Sequence, residues 1–357
     1  MSDAVVDDIL ALLPPLLQSL EALGFVARHL HPPDLDRVME AVGEPEQALQ
    51  IARSGLAEWP ARFLRERASL EAASDATLAA FAGLRSVLGG RGDLATVLRA
   101  LRHVAQAQEA LYPLAARFAP VNSFFIDPAL RENADLLARL EEPAGPNTGV
   151  VHHGNEPGSR GGFSLYVPEY YTQSRAWPLV VALHGGSGNG RAFLWSWLRD
   201  ARSFGALLLT PTATGSTWAL MGEDNDTPNV MRFLKTVRSR WNVDPRRLLL
   251  TGMSDGGTFC YVSGLVSGSP FTHLAPIAAT FHPLMAATAD AGRVRGLPVY
   301  LVHGSLDWMF PVQQARQACD ALSLAGADVT YREIDDLSHC YPREANAQIL
   351  RWLSNEA

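Results

Sequence analysis

The chain has 357 residues, 47% hydrophobic and 19% charged, which is enough to bury a sizeable core and, by length, suits two domains or one decorated domain. Its net charge is −7, and the excess acid all lies before residue 145, where 13 Arg face 20 Asp and Glu; beyond it, 17 basic residues meet 17 acidic ones. Nothing supplies a basic footprint, which argues against nucleic acid as a partner, and the three cysteines form neither a disulfide framework nor a metal-type spacing.

The N-terminus, MSDAVVDDIL, is acidic where a secretory leader would be basic. The apolar run behind it is interrupted by Pro14-Pro15, then by Gln18 and Glu21, so it reads as too broken to span a bilayer. These features predict a cytoplasmic protein with no membrane partner. The first 145 residues read as an N-terminal all-helical domain. Leu78, Phe81, Leu84 and Leu88 form one helical stripe, which Gly89-Gly90 ends. Leu94, Val97, Leu98, Leu101, Val104, Ala105 and Leu111 form a second, with Asp93 as its N-cap and Gln108 as its one polar interruption. Phe124, Phe125 and Ile126 make an apolar knot between two prolines; it fills the bundle's own core or docks the bundle on another surface.

The texture changes at EEPAGPNTG, 141–149, which reads as a linker and puts the domain boundary between 145 and 146. Seven short β-type runs follow: FSLYVP, PLVVALHGG, GALLLTP, RRLLLTG, HLAPIAAT, LPVYLVHG and DVTYREI. Most are near-continuous apolar runs with helical segments between them. That alternation predicts an α/β domain over 146–357 with a mainly parallel sheet buried on both faces.

Within it, Gly252-Met253-Ser254-Asp255-Gly256 is a G-x-S-x-G sequence with a strand before it and a helix after it. In that context the serine occupies a strained strand-to-helix turn, and side chains two places either side of it would collide. The turn aims the Ser254 hydroxyl out of the sheet, near a helix N-terminus that favours developing negative charge. A glycine-rich loop with an incidental serine is the alternative reading.

A serine hydroxyl needs a base to become a nucleophile. In such a sheet the partners follow in the order Ser, acid, His. His339, in DLSHCYPRE past the last strand, is where the base belongs. His303 comes too early in the chain and suits a role supporting the acid's loop, while His273 opens a strand. Asp307, in HGSLDWMFP, follows the strand before the last and is the candidate acid; Asp335 and Asp336 compete from the His339 loop itself. The tetrahedral oxyanion needs backbone N–H donors. The amide of Asp255 is one; the other is assigned to Gly186 in HGGSGNG, with Gly185 next. That loop lacks the spacing of a phosphate-binding sequence.

The order HGG…GMSDGG…HGSLD…SHCYP resembles α/β-hydrolase serine esterases, in particular the group spanning phospholipase/carboxylesterases, feruloyl esterases and polyhydroxybutyrate depolymerases. The resemblance covers roughly Gly149 to the C-terminus. It implies an α/β-hydrolase fold, hydrolysis of small carboxylic esters through an acyl-enzyme, and no cofactor. An acyl thioesterase, or a silent hydrolase fold that binds a ligand or partner, are the alternatives. Trp195, Trp197, Trp218, His282, Trp308 and Phe310 are candidates to line a substrate pocket; packing of helices onto the sheet explains any one tryptophan as well. His152 and His153 are adjacent in a β-type stretch, face opposite ways and do not suit one shared metal. The helical domain has three readings: a lid, a homo-oligomerisation element, or a module for another protein.

Overall fold

A computed structural model describes residues 3–90, 93–287 and 289–354. The chain forms two compact units, Met1–Arg131 and Glu132–Ala357. The first unit is helical: α1 (Asp3–Arg28), α2 (Leu35–Val42), α3 (Glu46–Arg53), α4 (Leu64–Ser86), α5 (Leu94–Leu111) and α6 (Ala119–Phe124), with short 3₁₀ turns between. Asp93 caps α5 by accepting a hydrogen bond from the Thr96 amide at 2.9 Å. Val97, Ala100, Val104, Ala107 and Leu111 form the buried face of α5, and Gln108 is buried with them.

One expectation for this unit is corrected. Pro14 and Pro15 do not break the first apolar run; both lie inside the 26-residue α1. Internal prolines cost a helix about 3 kcal/mol or more. Burial of Leu12, Leu16, Leu20, Leu23 and Val26, all nearly inaccessible, opposes that cost. Residues Val5–Arg28 are long and apolar enough to cross a membrane by length and composition alone. The Phe124-Phe125-Ile126 knot is buried, and Phe125 stands edge-on to Tyr112 of the same unit with ring centroids 5.4 Å apart.

The second unit begins ahead of the 145 boundary expected from the Pro- and Gly-rich stretch. It takes in α7 (Ala134–Glu141). The Arg139 guanidinium lies 4.9 Å over the Tyr170 ring, and the Gly145 amide donates to the Glu169 carbonyl at 3.3 Å, tying this segment to the sheet unit. An eight-stranded sheet follows: β1 (Gly149–His153), β2 (Phe163–Val167), β3 (Trp177–Leu183), β4 (Leu207–Pro211), β5 (Val243–Met253), β6 (His273–Ile277), β7 (Pro298–Gly304) and β8 (Asp328–Ile334). Their spatial order is β1-β2-β4-β3-β5-β6-β7-β8. β2 runs antiparallel to both its neighbours, and every other pair is parallel.

The intervening helices are α8 (Gly190–Phe204), α9 (Asp226–Arg240), α10 (Asp255–Gly264), α11 (Leu284–Ala287), α12 (Ala291–Val294), α13 (Gln313–Leu324) and α14 (Glu344–Leu353). α8 packs on β2, β3 and β4, and α10 on β3, β5 and β6. Strands β3 and β4 are buried along their whole length, as continuous apolar runs in a parallel sheet require. Because β3, β5, β6, β7 and β8 are parallel, the loops after them emerge along one edge of the sheet. Ser254, Gly186, Asp307 and His339 all lie on those loops. In open α/β sheets that edge is where ligands bind.

Candidate active site

Ser254 joins β5 to α10 with φ 55° and ψ −122°, a conformation that side-chain-bearing residues rarely adopt. The packing explains why glycines surround it. A Cβ on Gly252 would stand 2.5 Å from the Gly256 carbonyl carbon, and one on Gly256 would stand 2.4 Å from the Leu183 carbonyl oxygen. A Cβ on Gly257 would meet the Ile277 carbonyl oxygen at 2.8 Å, so α10 lies hard against β6. The strain is held from both sides: the Ser254 amide donates to the Ile277 carbonyl at 3.0 Å, and its carbonyl accepts from the Thr258 amide at 2.8 Å. Ser187 (φ 57°) and Ala278 (φ 46°), on the loops after β3 and β6, are two further non-glycine residues at positive φ on this edge. Such strain concentrates at functional sites and persists only where the surroundings enforce it.

The structure brings together the three residues that the sequence singled out. The Ser254 hydroxyl lies 3.0 Å from His339 Nε2, and His339 Nδ1 lies 2.8 Å from Asp307 Oδ2. With the proton on Nδ1, His339 donates to Asp307, and its Nε2 is left to accept from Ser254. The Asp307 carboxylate is fully buried and well supported: Oδ1 accepts from the amides of Met309 at 2.9 Å and Phe310 at 2.7 Å. Burial alone would raise its pKa. The hydrogen bonds from His339 and the Phe310 amide, with the two nearby imidazoles, outweigh that and hold it below the usual carboxylate range. His303 supports the acid's turn, its Nε2–H donating to the Phe310 carbonyl at 2.8 Å. Burial depresses its pKa. Asp335 and Asp336 are exposed on the turn after β8, and it is Asp307 that accepts the hydrogen bond from His339 Nδ1.

The loop that carries His339 is anchored from behind. Tyr341, two residues past His339, stands edge-on to Phe193 of α8 at 5.2 Å, and its hydroxyl donates to Asn346 Oδ1 at 2.7 Å. Asn346 Nδ2 in turn donates to the Ser196 carbonyl and to Asp200, fixing the loop to α8.

The HGGSGNG loop after β3 passes against the elbow. A Cβ on Gly185 would lie 3.6 Å from Ser254 Cβ, and one on Gly186 would lie 2.6 Å from Asp255 Oδ2. The Asp255 carboxylate, which accepts from the Thr217 hydroxyl, therefore fills the space a side chain at 186 would need. His184 holds the start of this loop. Its Nδ1–H donates to the Gly185 carbonyl at 2.7 Å, and its Nε2 accepts from the Ala213 amide at 3.1 Å. That pairing uses both ring nitrogens of a neutral imidazole, and burial pushes its pKa down to about 4. Arg160 and Asp226 pin the surrounding loops: Arg160 Nη1 donates to the Gly188 carbonyl at 2.6 Å, and Asp226 accepts from the amides of Thr214 and Ala219. Sequence reasoning missed Arg160, Thr217 and Asp226. Each reaches the site across the fold from a loop or helix end without a local pattern.

The candidate pocket residues divide. Trp195 and Trp218 are 4% and 3% exposed, and Trp197 is fully buried. Trp218 stacks near Phe259 and donates its indole N–H to the His184 carbonyl at 2.7 Å, which makes it a brace for the loop rather than an open wall. His282 is exposed and accepts from the Leu284 amide through Nδ1, capping its own turn. Trp308 is 44% exposed, with its ring centroid 6.2 Å from that of His339; the half-buried Phe310 lies at 5.1 Å. His152 and His153 take separate partners, the Ser164 hydroxyl and the Phe163 ring. Among the described residues no group of three or more His, Cys, Asp and Glu is placed to hold a metal ion.

A solved ferulic acid esterase superposes with a TM-score of 0.50 at 15% identity, over 58% of this chain and 97% of that one. The chain has the α/β-hydrolase fold. The strained serine on the strand-to-helix turn between β5 and α10 is the one expected of it. No family model matches the chain. Among curated proteins it is similar to the bifunctional acetylxylan esterase/xylanase XynS20E of Neocallimastix patriciarum, 28% identical over 163 residues, 44% of this chain and 23% of that protein. It is also similar to the non-reducing polyketide synthase ausA of Emericella nidulans, 40% identical over 57 residues, 16% of this chain and 2% of that one. The chain thus spans less than a quarter of the length of either curated relative.

Proposed function

We propose that this α/β-hydrolase is a serine esterase that cleaves small carboxylic esters through an acyl-enzyme on Ser254. The observation that carries the reading is the unbroken relay from Ser254 Oγ through His339 to the buried Asp307, at 3.0 and 2.8 Å. Ser254 Oγ attacks the ester carbonyl carbon while His339 Nε2 takes its proton. The oxyanion that forms is received by the amides of Gly186 and Asp255, which lie on the two segments that meet beside the nucleophile. The carbon–oxygen bond to the alcohol then breaks, and the same Nε2 returns the proton to the departing oxygen. Water then attacks the acyl carbon as His339 Nε2 takes one of its protons, the bond from that carbon to Ser254 Oγ breaks, and Nε2 returns the proton to Oγ as the acid leaves. Asp307 holds the imidazole in the productive tautomer throughout and stabilises the imidazolium.

The similarity to a protein named for acetylxylan esterase activity supports an ester and a short acyl group. The test is turnover across p-nitrophenyl esters from acetyl upward and the matching acyl thioesters. The reading expects hydrolysis of the short esters, and a loss of several orders of magnitude in kcat for Ser254→Ala with the fold intact. Turnover confined to thioesters would make the chain a thioesterase. A folded chain with no turnover on either series would leave a binding module.

A further inference from the structure

Resting on that reading, we propose that Trp308 recognises the alcohol half of the ester, and that this alcohol carries a ring with a flat apolar face, a phenol or a sugar.

The chemistry of the relay fixes which half of the ester lies where. His339 Nε2 must reach Ser254 Oγ during attack and the departing oxygen during collapse, so the alcohol leaves beside the His339 ring. The carbonyl oxygen points instead to the amides of Gly186 and Asp255. An exposed ring beside the imidazole is therefore the surface nearest to hand for the alcohol. Trp308 is such a ring, inclined at 71° to the His339 ring with centroids 6.2 Å apart, and it is open to solvent. The other aromatic beside the imidazole, Phe310, with its ring centroid 5.1 Å from that of His339, is half-buried.

The turn that carries Trp308 strengthens the point. Leu306, Trp308 and Met309 are 44–48% exposed, while Asp307 between them is buried. Turning the Asp307 carboxylate inward, to His339 and to the amides of Met309 and Phe310, obliges its neighbours to face out. It does not oblige them to be apolar. Three large apolar side chains exposed on the turn that carries the acid are better explained by an apolar surface on the substrate than by the turn. An indole face suits a flat partner, either an aromatic ring or the C–H face of a pyranose.

The experiment uses the full chain with three acetates that share an acyl group: ethyl acetate, phenyl acetate and an acetylated methyl pyranoside. All three pass through the same acetyl-enzyme, so deacylation is common and only acylation can report the alcohol. Trp308→Ala is expected to lower kcat/KM for a ring-bearing acetate about three- to tenfold, from the usual strength of such stacking. It should leave ethyl acetate within about twofold and the deacylation rate unchanged, and Trp308→Phe should restore much of the loss. A loss on phenyl acetate alone identifies an aryl alcohol, and a loss on the pyranoside alone identifies a sugar. Equal losses on all three acetates overturn the proposal, because Trp308 would then act through His339. So does a change in acyl-length preference along a phenyl ester series with the alcohol fixed, or no change at all. Failure of the parent to hydrolyse any acetate or to take up a fluorophosphonate is a different result, which removes the esterase reading and this inference with it.

Discussion

His303 Nε2 lies 3.4 Å from Asp307 Oδ2, the same carboxylate oxygen that accepts the His339 hydrogen bond at 2.8 Å. Two imidazoles thus share one acid, and they differ in what else they do. His303 spends its N–H on the Phe310 carbonyl, and the Phe310 amide in turn supports Asp307. His303→Ala should loosen the acid's turn without removing the acid. We expect kcat to fall about tenfold with KM near the parent value, and stability to fall by about 1–3 kcal/mol as the Phe310 carbonyl loses its donor. Asp307→Asn, by contrast, should cost about 10⁴-fold in kcat, and Asp335→Asn and Asp336→Asn should be near neutral. Steady-state kinetics with urea unfolding separates these. A His303→Ala loss as large as that of Asp307→Asn would give His303 a direct part in the relay.

Gly186 and Asp255 are coupled by space. A Cβ at 186 would press on Asp255 Oδ2 at 2.6 Å and on the Thr217 contact behind it. Gly186→Ala should displace the proposed oxyanion donor and lower kcat about 10²-fold. Asp255→Ala removes the obstruction but keeps its own amide. In that background Gly186→Ala should cost markedly less, giving a coupling energy on the order of 1 kcal/mol in a double-mutant cycle. Additive losses would show that the carboxylate is not what demands glycine there.

His184 makes stability depend on pH in a stated direction. Burial lowers its pKa to about 4, while in the unfolded chain it returns to about 6.5. Between those values the unfolded state holds a proton that the folded state refuses, so stability falls as pH drops from about 6.5 to 4. The span corresponds to about 3 kcal/mol. His303 and His273, also depressed by burial, add in the same sense. Asp307, held low, is lost only as pH falls through the acidic end of the carboxylate range. Urea unfolding at pH 7 and pH 4.5 should show this drop, and His184→Gln should make it shallower. An unchanged pH dependence in the variant would contradict the assignment.

The role proposed for the helical unit is access to the site or assembly. A chain starting at Glu132 keeps α7 with the sheet and should fold with the relay intact. Kinetics over the ester series and mass by light scattering, compared with the full chain, should differ in KM, in chain-length preference or in oligomeric state. If the two proteins match in all three, the helical unit serves a separate partner.

Much of the site was legible because its chemistry imposes local patterns. The elbow needs Gly252, Gly256 and Gly257 within a few residues of Ser254, and each is excluded from having a side chain by a backbone or Cβ contact. His339 and Asp307 followed from the order of strands, since the fold sets which loops share an edge. The parallel strands were visible as apolar runs. What sequence could not carry was long range. Strand order depends on crossovers, and Arg160, Thr217 and Asp226 reach the site from loops or helix ends with no period. The start of the second unit was masked by composition: the Pro- and Gly-rich stretch marks a bend after α7, not the seam between units. Trp218 and Trp308 looked alike in sequence because both follow strand ends, and only burial tells the brace from the open face.

If Ser254 is the nucleophile, an electrophile that traps activated serines should mark it. The full chain is treated with a fluorophosphonate probe, digested, and the modified peptide identified by mass spectrometry, in parallel with Ser254→Ala and His339→Ala. Stoichiometric label is expected on the peptide containing Ser254, none in Ser254→Ala, and much slower labelling in His339→Ala. Label on another serine, or equal labelling of Ser254→Ala, would contradict this role for Ser254.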